Sequence, residues 1–543
     1  MWQSELLNDV DKDFLLKGIK DGFNLIDDDV AHVPGECENY ISATDPSVYD
    51  MVESQIVNEI ANGNYIVTDK RPVLVSALGA VPKPGGDTVR LIHDCSRPVG
   101  TSLNDLATKA SVKYQTLEEA ISASTSGCFY AKVDLKSAYR SVRIHPSNYP
   151  ITGLKWQFSD HAAPTYLYDT RLPFGARKSP AIFHRLTQAV RRFMCNRGYD
   201  NIIVYLDDFL IISESKEKCR ETMSVLINLL RRLGFAINWS KVEDPCNIIT
   251  FLGIQLDSHK LIISLLQDKF VNFIDILLEF KDKKHASKKQ LQSLAGRLNW
   301  ACRVVRGGRI YLRRVLNAMN QLKLPHHKIM LSKDFMADIH WWLDYASTFN
   351  GTRMLSNSII IPPVHVDACN VGAGIAFNGD WAYINWAEDW PEVQHMHINF
   401  KEVFAIVAAV FRWGHLWCNA KVTFLTDSEC AKAILSKGTT QNALVMKYIR
   451  LVFWTSVKFD FDIHCVHVRG SDNTLPDTIS RLHEGGQFMH LESLLRGYFN
   501  VSLHPLALHR HMSSKAIHFL ILQVVKWLKL RASWTMRLPT IGC

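Results

Sequence analysis

Two sets of acidic residues interrupt apolar, strand-forming stretches of this 543-residue chain. In VYLDDFLII, residues 204 to 212, Asp207 and Asp208 stand side by side in a β-branched and aromatic run. In FYAKVDLKSAYRSVRI a lone Asp134 follows Ala131 and Val133. Two carboxylates about 4 Å apart repel by roughly 4 kcal/mol at an effective dielectric near 20, and burial adds a desolvation cost. A hairpin with Asp207-Asp208 as its solvated tight turn would relieve that repulsion. So would divalent metal held between the acids. Asp134 lies 73 residues before Asp207, which leaves room for helices between them, and strand ends of one sheet could bring all three together. Two-metal chemistry needs carboxylates that bridge ions about 3.5 to 4 Å apart. Magnesium suits it, having hard oxygen ligands and positions left for phosphate, with manganese as a substitute.

The second set is Asp367, ending the strand-like PVHVD; Glu402, opening the helical KEVFAIVAAV; Asp427, ending VTFLTD; and Asp477 in DNTLPDTISRL. Each alone reads equally as a cap or turn residue. Together, three of the four fall at element ends of one predicted sheet, where they could converge. His467, in VHVRG, is either a mobile proton carrier or an ordinary strand histidine.

The elements that must position these residues follow from pattern. Residues 1–60 read as a loosely helical leader without a usable motif, and 61–258 alternate short β-rich runs with helical stretches. From 259 the pattern is helical, with Leu291, Leu294, Leu298, Cys302 and Val305 at three- and four-residue spacing. Residues 281 to 328 hold 13 Lys or Arg against one acid, Asp282. This charge makes Lys288, Lys289, Arg297, Arg303, Arg306 and Arg309 candidates for phosphate contacts, although a charge run is more often a solvated helix face. STFNGTRMLSNS marks a boundary, so 259–358 form one segment and 359–484 a mixed-sheet domain of order βββαβαβα. The tail 485–543 is unassigned.

Composition bounds the rest. With 47% hydrophobic and 21% charged residues the chain is a folded protein, too long for one core, and its net charge of +9 suggests a polyanionic partner. The 12 cysteines include no C-x-x-C pair, which points away from zinc knuckles and disulfide frameworks and toward a reducing compartment. No signal peptide opens the chain, and AIHFLILQVVKWLKL (516 to 530) is too short and polar to span a membrane. The expected location is intracellular, cytoplasmic or nuclear, without membrane.

At this point the sequence resembles the reverse transcriptases. AKVDLKSAY is similar to their first catalytic motif, LPFGARKSPAIF to their second and YLDD to their third. LGFAINWSKVE and FLGIQLDS are similar to the two that follow, and VPKPGGDTVRLIHDCSR to the upstream fingers segment. The resemblance covers about residues 65 to 260, with five motifs in register. It implies Asp134 and Asp207 as metal ligands, Asp208 as a supporting acid, Lys83 and Arg90 on the incoming triphosphate, and Tyr139 as the aromatic beneath its sugar. Phe174 and Gly175 fall in the second motif and Lys241 in the fourth. Phe174 stands where retroviral enzymes carry Gln and many retrotransposon enzymes carry Phe, which favours the retrotransposon side. HDCSR has one residue more before Arg97 than the usual pattern, so Arg90 takes the assignment. GGRIYLRR and DIHWWL resemble the DIRS-type retrotransposon polymerases.

The second set of acids resembles ribonuclease H in its order, implying metal ligation by Asp367, Glu402, Asp427 and Asp477. Integrases share that fold but place their Glu about 35 residues after the second Asp, where this chain has Asp462. The implied architecture is an α+β multidomain protein: a right-hand polymerase of fingers, palm and thumb, followed by a ribonuclease H-like mixed-sheet domain. Its implied partners are an RNA template, a DNA primer, RNA–DNA hybrid and deoxynucleoside triphosphates, with two Mg2+ in each site. The alternative is an inactive relic that only binds nucleic acid; every matched acid is intact, which speaks against decay. Nothing in the sequence indicates an oligomeric state.

Overall fold

The structure, a computed structural model, describes residues 1–26, 33–83, 88–108, 112–305, 307–349, 352–354, 359–418, 420–459, 461–484, 491 and 494. Arg306 and nearly all of the tail lie outside the described residues. The chain divides into two compact units at Leu261 and Ile262.

In the first unit a four-stranded antiparallel sheet runs in the order Glu243–Cys246, Phe129–Asp134, Asp208–Ser213, Ile202–Tyr205. Side chains alternate between its faces. Val133, Val204, Phe209 and Ile211 pack into a core with Ile182, Phe183 and Leu186 of helix Ser179–Cys195 and Leu226 and Leu230 of helix Lys216–Arg232. Asp134 and Asp208 therefore project from the other face. Tyr205 registers with Asp208, so the hairpin loop is Leu206–Asp207 and not Asp207-Asp208 as the sequence suggests. The shift has a backbone cause: Leu206 takes φ of 54°, and positive φ at the first of two loop residues belongs to a II′ turn matched to strand twist. Asp208 is thereby returned to the strand.

The same unit holds a five-stranded sheet, in the order Gly35–Glu36, Leu74–Val75, Gly153–Trp156, Thr165–Asp169, Tyr65–Thr68, and the hairpins Ala77–Pro82/Val89–Asp94 and Ile248–Phe251/Ile254–Asp257. The motif-poor first 60 residues are built into it. Leu6, Leu15 and Phe23 are buried in the core behind the four-stranded sheet, and Val52 and Ile56 of helix Tyr49–Ala61 pack with Tyr65 and Trp156.

The second unit opens with strand Ile262–Leu265, followed by helices Gln267–Phe280, Lys288–Ala301, Gly308–Asn320 and Lys333–Phe349. Helix Lys288–Ala301 starts at a capping box of Ser287 with Gln290 and buries Leu291, Leu294 and Leu298, as their spacing predicts; Val305 is buried and Cys302 half-buried. Beyond them a mixed sheet runs Asp380–Asn385, Gly372–Phe377, Val364–Ala368, Ala420–Thr426, Asp462–His467, antiparallel over the first three and parallel over the last three. Helix Ile398–Trp413 is buried along most of its length in the same core. The helical segment is fastened to the sheet domain. Asp338, 1% exposed, accepts hydrogen bonds from Arg314 Nη1 (2.8 Å) and from Arg450 Nη1 and Nη2 (2.6 and 3.0 Å), and Ile310 belongs to the sheet domain's core. Among the described residues no helix is long and apolar enough to cross a membrane.

Candidate active sites

Asp208 lies directly opposite Asp134 in the antiparallel register, which sets their Cβ atoms about 4.5 to 5.5 Å apart on one face. Asp207 joins them from the hairpin loop, its carbonyl accepting the Leu135 N–H at 3.1 Å. The Asp134 carboxylate accepts from Asn238 Nδ2 at 2.8 Å and Lys241 Nζ at 3.1 Å, while the Asn238 N–H reaches the Asp134 carbonyl at 2.8 Å. Burial, then the charges of Asp207 and Asp134, push Asp208 up to about 6. Asp207 is raised by burial and by Asp134, against the cations Lys241 and Arg90. Excess negative charge is thus crowded on one face with a single ammonium on Asp134. That arrangement fits a hard divalent cation.

Beside the acids lies an aromatic floor. Tyr139, on the short 3₁₀ turn Ala138–Ser141, stacks on Phe174 (centroids 5.1 Å apart, planes at 28°) and leans on Phe183 at 5.4 Å. The exposed Arg90 carries its guanidinium 5.9 Å from the Phe174 centroid. Burial raises the Tyr139 phenol, and the Asp207 charge contributes, as its closeness to the acids requires. Gly175 has φ of 135°, and a Cβ there would meet the His93 carbonyl oxygen at 2.0 Å, so only glycine fits. Lys83 is exposed at the end of the hairpin that carries Arg90; residues 84–87 at its tip are outside the described residues.

The second set converges more tightly. Asp367, Glu402 and Asp427 each bring a carboxylate oxygen within 4.8 Å of the others; among the described residues no other group of three does so, the Asp134 set included. Parallel pairing of Val364–Ala368 with Ala420–Thr426 puts Asp367 and Asp427 at the same sheet edge. Glu402 comes from the second turn of helix Ile398–Trp413, inside the helix and not at its opening. Burial, with Asp427 and Asp477 adding, pushes Asp367 up to about 7 despite a 2.9 Å hydrogen bond from Ser480 Oγ. Burial, Asp367 and Asp427 push Glu402 up to about 9, and its Oε2 is buried without a partner. Three crowded carboxylates with an orphaned oxygen fit a divalent cation.

Asp477 stands outside this trio, paired with Arg481 at 2.8 Å, and acts on it only through charge. His467 lies 3.6 Å from Glu429. Asp462 registers with Lys421, six residues before Asp427, so it sits about 20 Å along the strands from the acidic edge. Glu402, not Asp462, completes the cluster.

Of the basic candidates, Lys289, Arg297, Arg303 and Arg309 are exposed. Arg297 donates to the Asn272 carbonyl at 2.8 Å, and the half-buried Lys288 to that of Lys323 at 3.1 Å. Pattern reading passes over Asn238 and Ser480, which hold Asp134 and Asp367. Asn238 lies inside the fourth motif, three residues before Lys241, whereas Ser480 carries no local signal.

Residues 81–256 match the family described as reverse transcriptase (RNA-dependent DNA polymerase). The chain is 27% identical over 181 residues to the Gag-Pol polyprotein of Gibbon ape leukemia virus, covering 33% of this chain and 10% of that protein. It is 21% identical over 438 residues to the Transposon Tf2-3 polyprotein of Schizosaccharomyces pombe, covering 77% and 30%. The chain thus spans a minor part of these relatives. Its fold is similar to that of a foamy viral protease-reverse transcriptase solved in complex with RNA/DNA hybrid, with a TM-score of 0.51 at 16% identity, covering 88% of this chain and 63% of that one. The architecture is the mixed α/β multidomain one expected, with the reverse transcriptase match in the first unit and the mixed-sheet domain in the second.

Proposed function

Starting from a chain that carries a retroelement reverse transcriptase domain, we propose that it copies RNA and then DNA templates into DNA from deoxynucleoside triphosphates, and that its second acidic site hydrolyses the RNA strand of RNA–DNA hybrids. The observation that carries the first activity is Asp208 in register with Asp134, Asp207 at the adjoining loop, and the Tyr139–Phe174 floor beside them. Asp134, Asp207 and Asp208 would hold magnesium, which supplies activation of the primer 3′-hydroxyl and neutralisation of charge at the α-phosphate. Lys83 and Arg90, both exposed on one hairpin, hold the triphosphate; Tyr139 lies under the sugar. Lys241 Nζ lies against the Asp134 carboxylate. Gly175 allows the close approach of the Phe174 backbone to His93.

In the second unit Asp367, Glu402 and Asp427 would hold magnesium, with Asp477 adding charge at its edge, and the attacking group is water. The exposed Lys289, Arg297, Arg303 and Arg309 contact phosphates without regard to sequence, together with Lys288 and Arg306. Residues 61–258 serve as fingers and palm, with 1–60 packed against them, and 259–358 as a basic helical thumb and connection. The helical segment points to the DIRS-type lineage. Primer extension on RNA and on DNA templates with magnesium and deoxynucleotides tests the reading: extension on both supports it, and template binding without extension supports a relic.

A further inference from the structure

We propose that buried Asp169 and its partner Arg140 are positioning residues for the nucleotide sugar, setting the spacing of Tyr139 and Phe174; this rests on the polymerase reading above. Asp169 ends strand Thr165–Asp169 and is 1% exposed. Arg140 Nη1 donates to both of its carboxylate oxygens at 2.9 Å, and Arg140 Nε donates to Glu59 Oε2 at 3.0 Å. On the other side His93 Nδ1 lies 3.7 Å from Asp169 Oδ2. The guanidinium also lies 5.2 Å from the Tyr65 ring centroid.

The two arms of this network end on the two rings of the floor. Arg140 is the residue after Tyr139 and shares its 3₁₀ turn, so fixing the guanidinium fixes the turn from which Tyr139 projects. The His93 backbone N–H donates to the Phe174 carbonyl at 3.1 Å, and the His93 carbonyl lies where a Gly175 Cβ would stand. Asp169 thus bonds the turn beneath one ring and lies against His93, on the strand whose backbone holds the other.

A buried ion pair is a weak source of stability compared with apolar packing, so its presence here calls for a role in specifying geometry. A sugar filter requires such geometry. Discrimination by collision depends on where the Tyr139 ring stands, and a misplacement on the order of 1 Å at a reacting centre can cost about 100-fold. A network that only neutralised charge would leave sugar choice unchanged when altered.

The test uses the full chain and measures kcat and KM for a deoxynucleotide and its ribonucleotide in primer extension, for wild type, Arg140→Lys, His93→Gln and Tyr139→Val, with Arg140→Lys also made in the Tyr139→Val background. Lysine keeps the charge but loses the planar fork. The expected result is a rise of about tenfold or more in relative ribonucleotide use with Arg140→Lys, carried mainly by KM, and a smaller rise with His93→Gln. Arg140→Lys should add no further change once Tyr139 is Val. Unchanged sugar preference in both single variants, or an equal fall in kcat with both sugars, would overturn the inference. Arg140→Lys acting undiminished without Tyr139 would overturn it too. If Arg140→Lys does not fold, His93→Gln decides alone. Failure of wild type to extend any primer would remove the polymerase reading itself, whereas a changed preference in Tyr139→Val alone would leave that reading standing and sink this one.

Discussion

Asp208 faces Asp134 across one antiparallel pair, on the side of the sheet away from the core. Like charges placed directly opposite in a sheet are destabilising. Keeping Asp208 ionised at pH 8 against a pKa pushed up to about 6 costs on the order of 1 to 2 kcal/mol after screening at its half-buried position. Asp208→Asn should therefore raise the metal-free melting temperature at pH 8 by a few degrees while extension falls by roughly tenfold or more. A melting temperature that drops would show that Asp208 is held by its protein neighbours and not by metal.

Asp367 and Glu402 lead to a pH dependence with a definite sign. Their folded values, about 7 and about 9, lie above the unfolded values, so the folded state binds more protons between about pH 4 and pH 9. Stability without metal must fall as pH rises through that window. Magnesium, which requires the carboxylates ionised, should release protons on binding and stabilise most at the alkaline end. Thermal melts from pH 5 to pH 9 with and without magnesium check this. Glu402→Gln should flatten the metal-free slope, and an unchanged slope would contradict the assignment.

The exposed arginines of the helical segment should act through counterions. Changing Arg297, Arg303 and Arg309 to Gln should weaken template-primer binding alike on every sequence, and reduce the log–log salt slope by about one for each phosphate that is no longer neutralised. Titrations by anisotropy at several salt concentrations decide; an unchanged slope makes these arginines only a solvated face.

Tyr139→Val should let ribonucleotides be added while substantial deoxynucleotide activity remains, because the ring that collides with a 2′-hydroxyl is gone. The competing outcome is that of a packing residue. Removing the ring from its place against Phe174 and Phe183 would then lower activity equally with both sugars.

Much of this was legible in the chain itself. Apolar, β-branched runs placed Asp134 in a strand and Asp207 in a hairpin turn, three- and four-residue spacing identified Leu291, Leu294 and Leu298 as a buried stripe, and the order of strands and helices after residue 359 matched the sheet observed. The hairpin turn was misplaced by one residue because register depends on the partner strand, not on which residues favour turns. Other features join distant positions and leave no local pattern. Arg140 reaches Glu59 across 81 residues and Arg450 reaches Asp338 across 112. The first 60 residues offer no motif, yet Leu6 and Leu15 fill the core behind the acidic sheet, because their role is packing.

The central claim is two chemistries at two separate acidic sites in one chain. It is tested most directly by assaying primer extension and hybrid RNA cleavage side by side in wild type, Asp207→Asn and Glu402→Gln, each confirmed folded. Losing a metal ligand removes several kcal/mol of transition-state stabilisation, about 1000-fold in rate. Asp207→Asn should lose extension and keep cleavage, and Glu402→Gln should lose cleavage and keep extension. Loss of both activities in either folded variant, or of neither, would contradict the account.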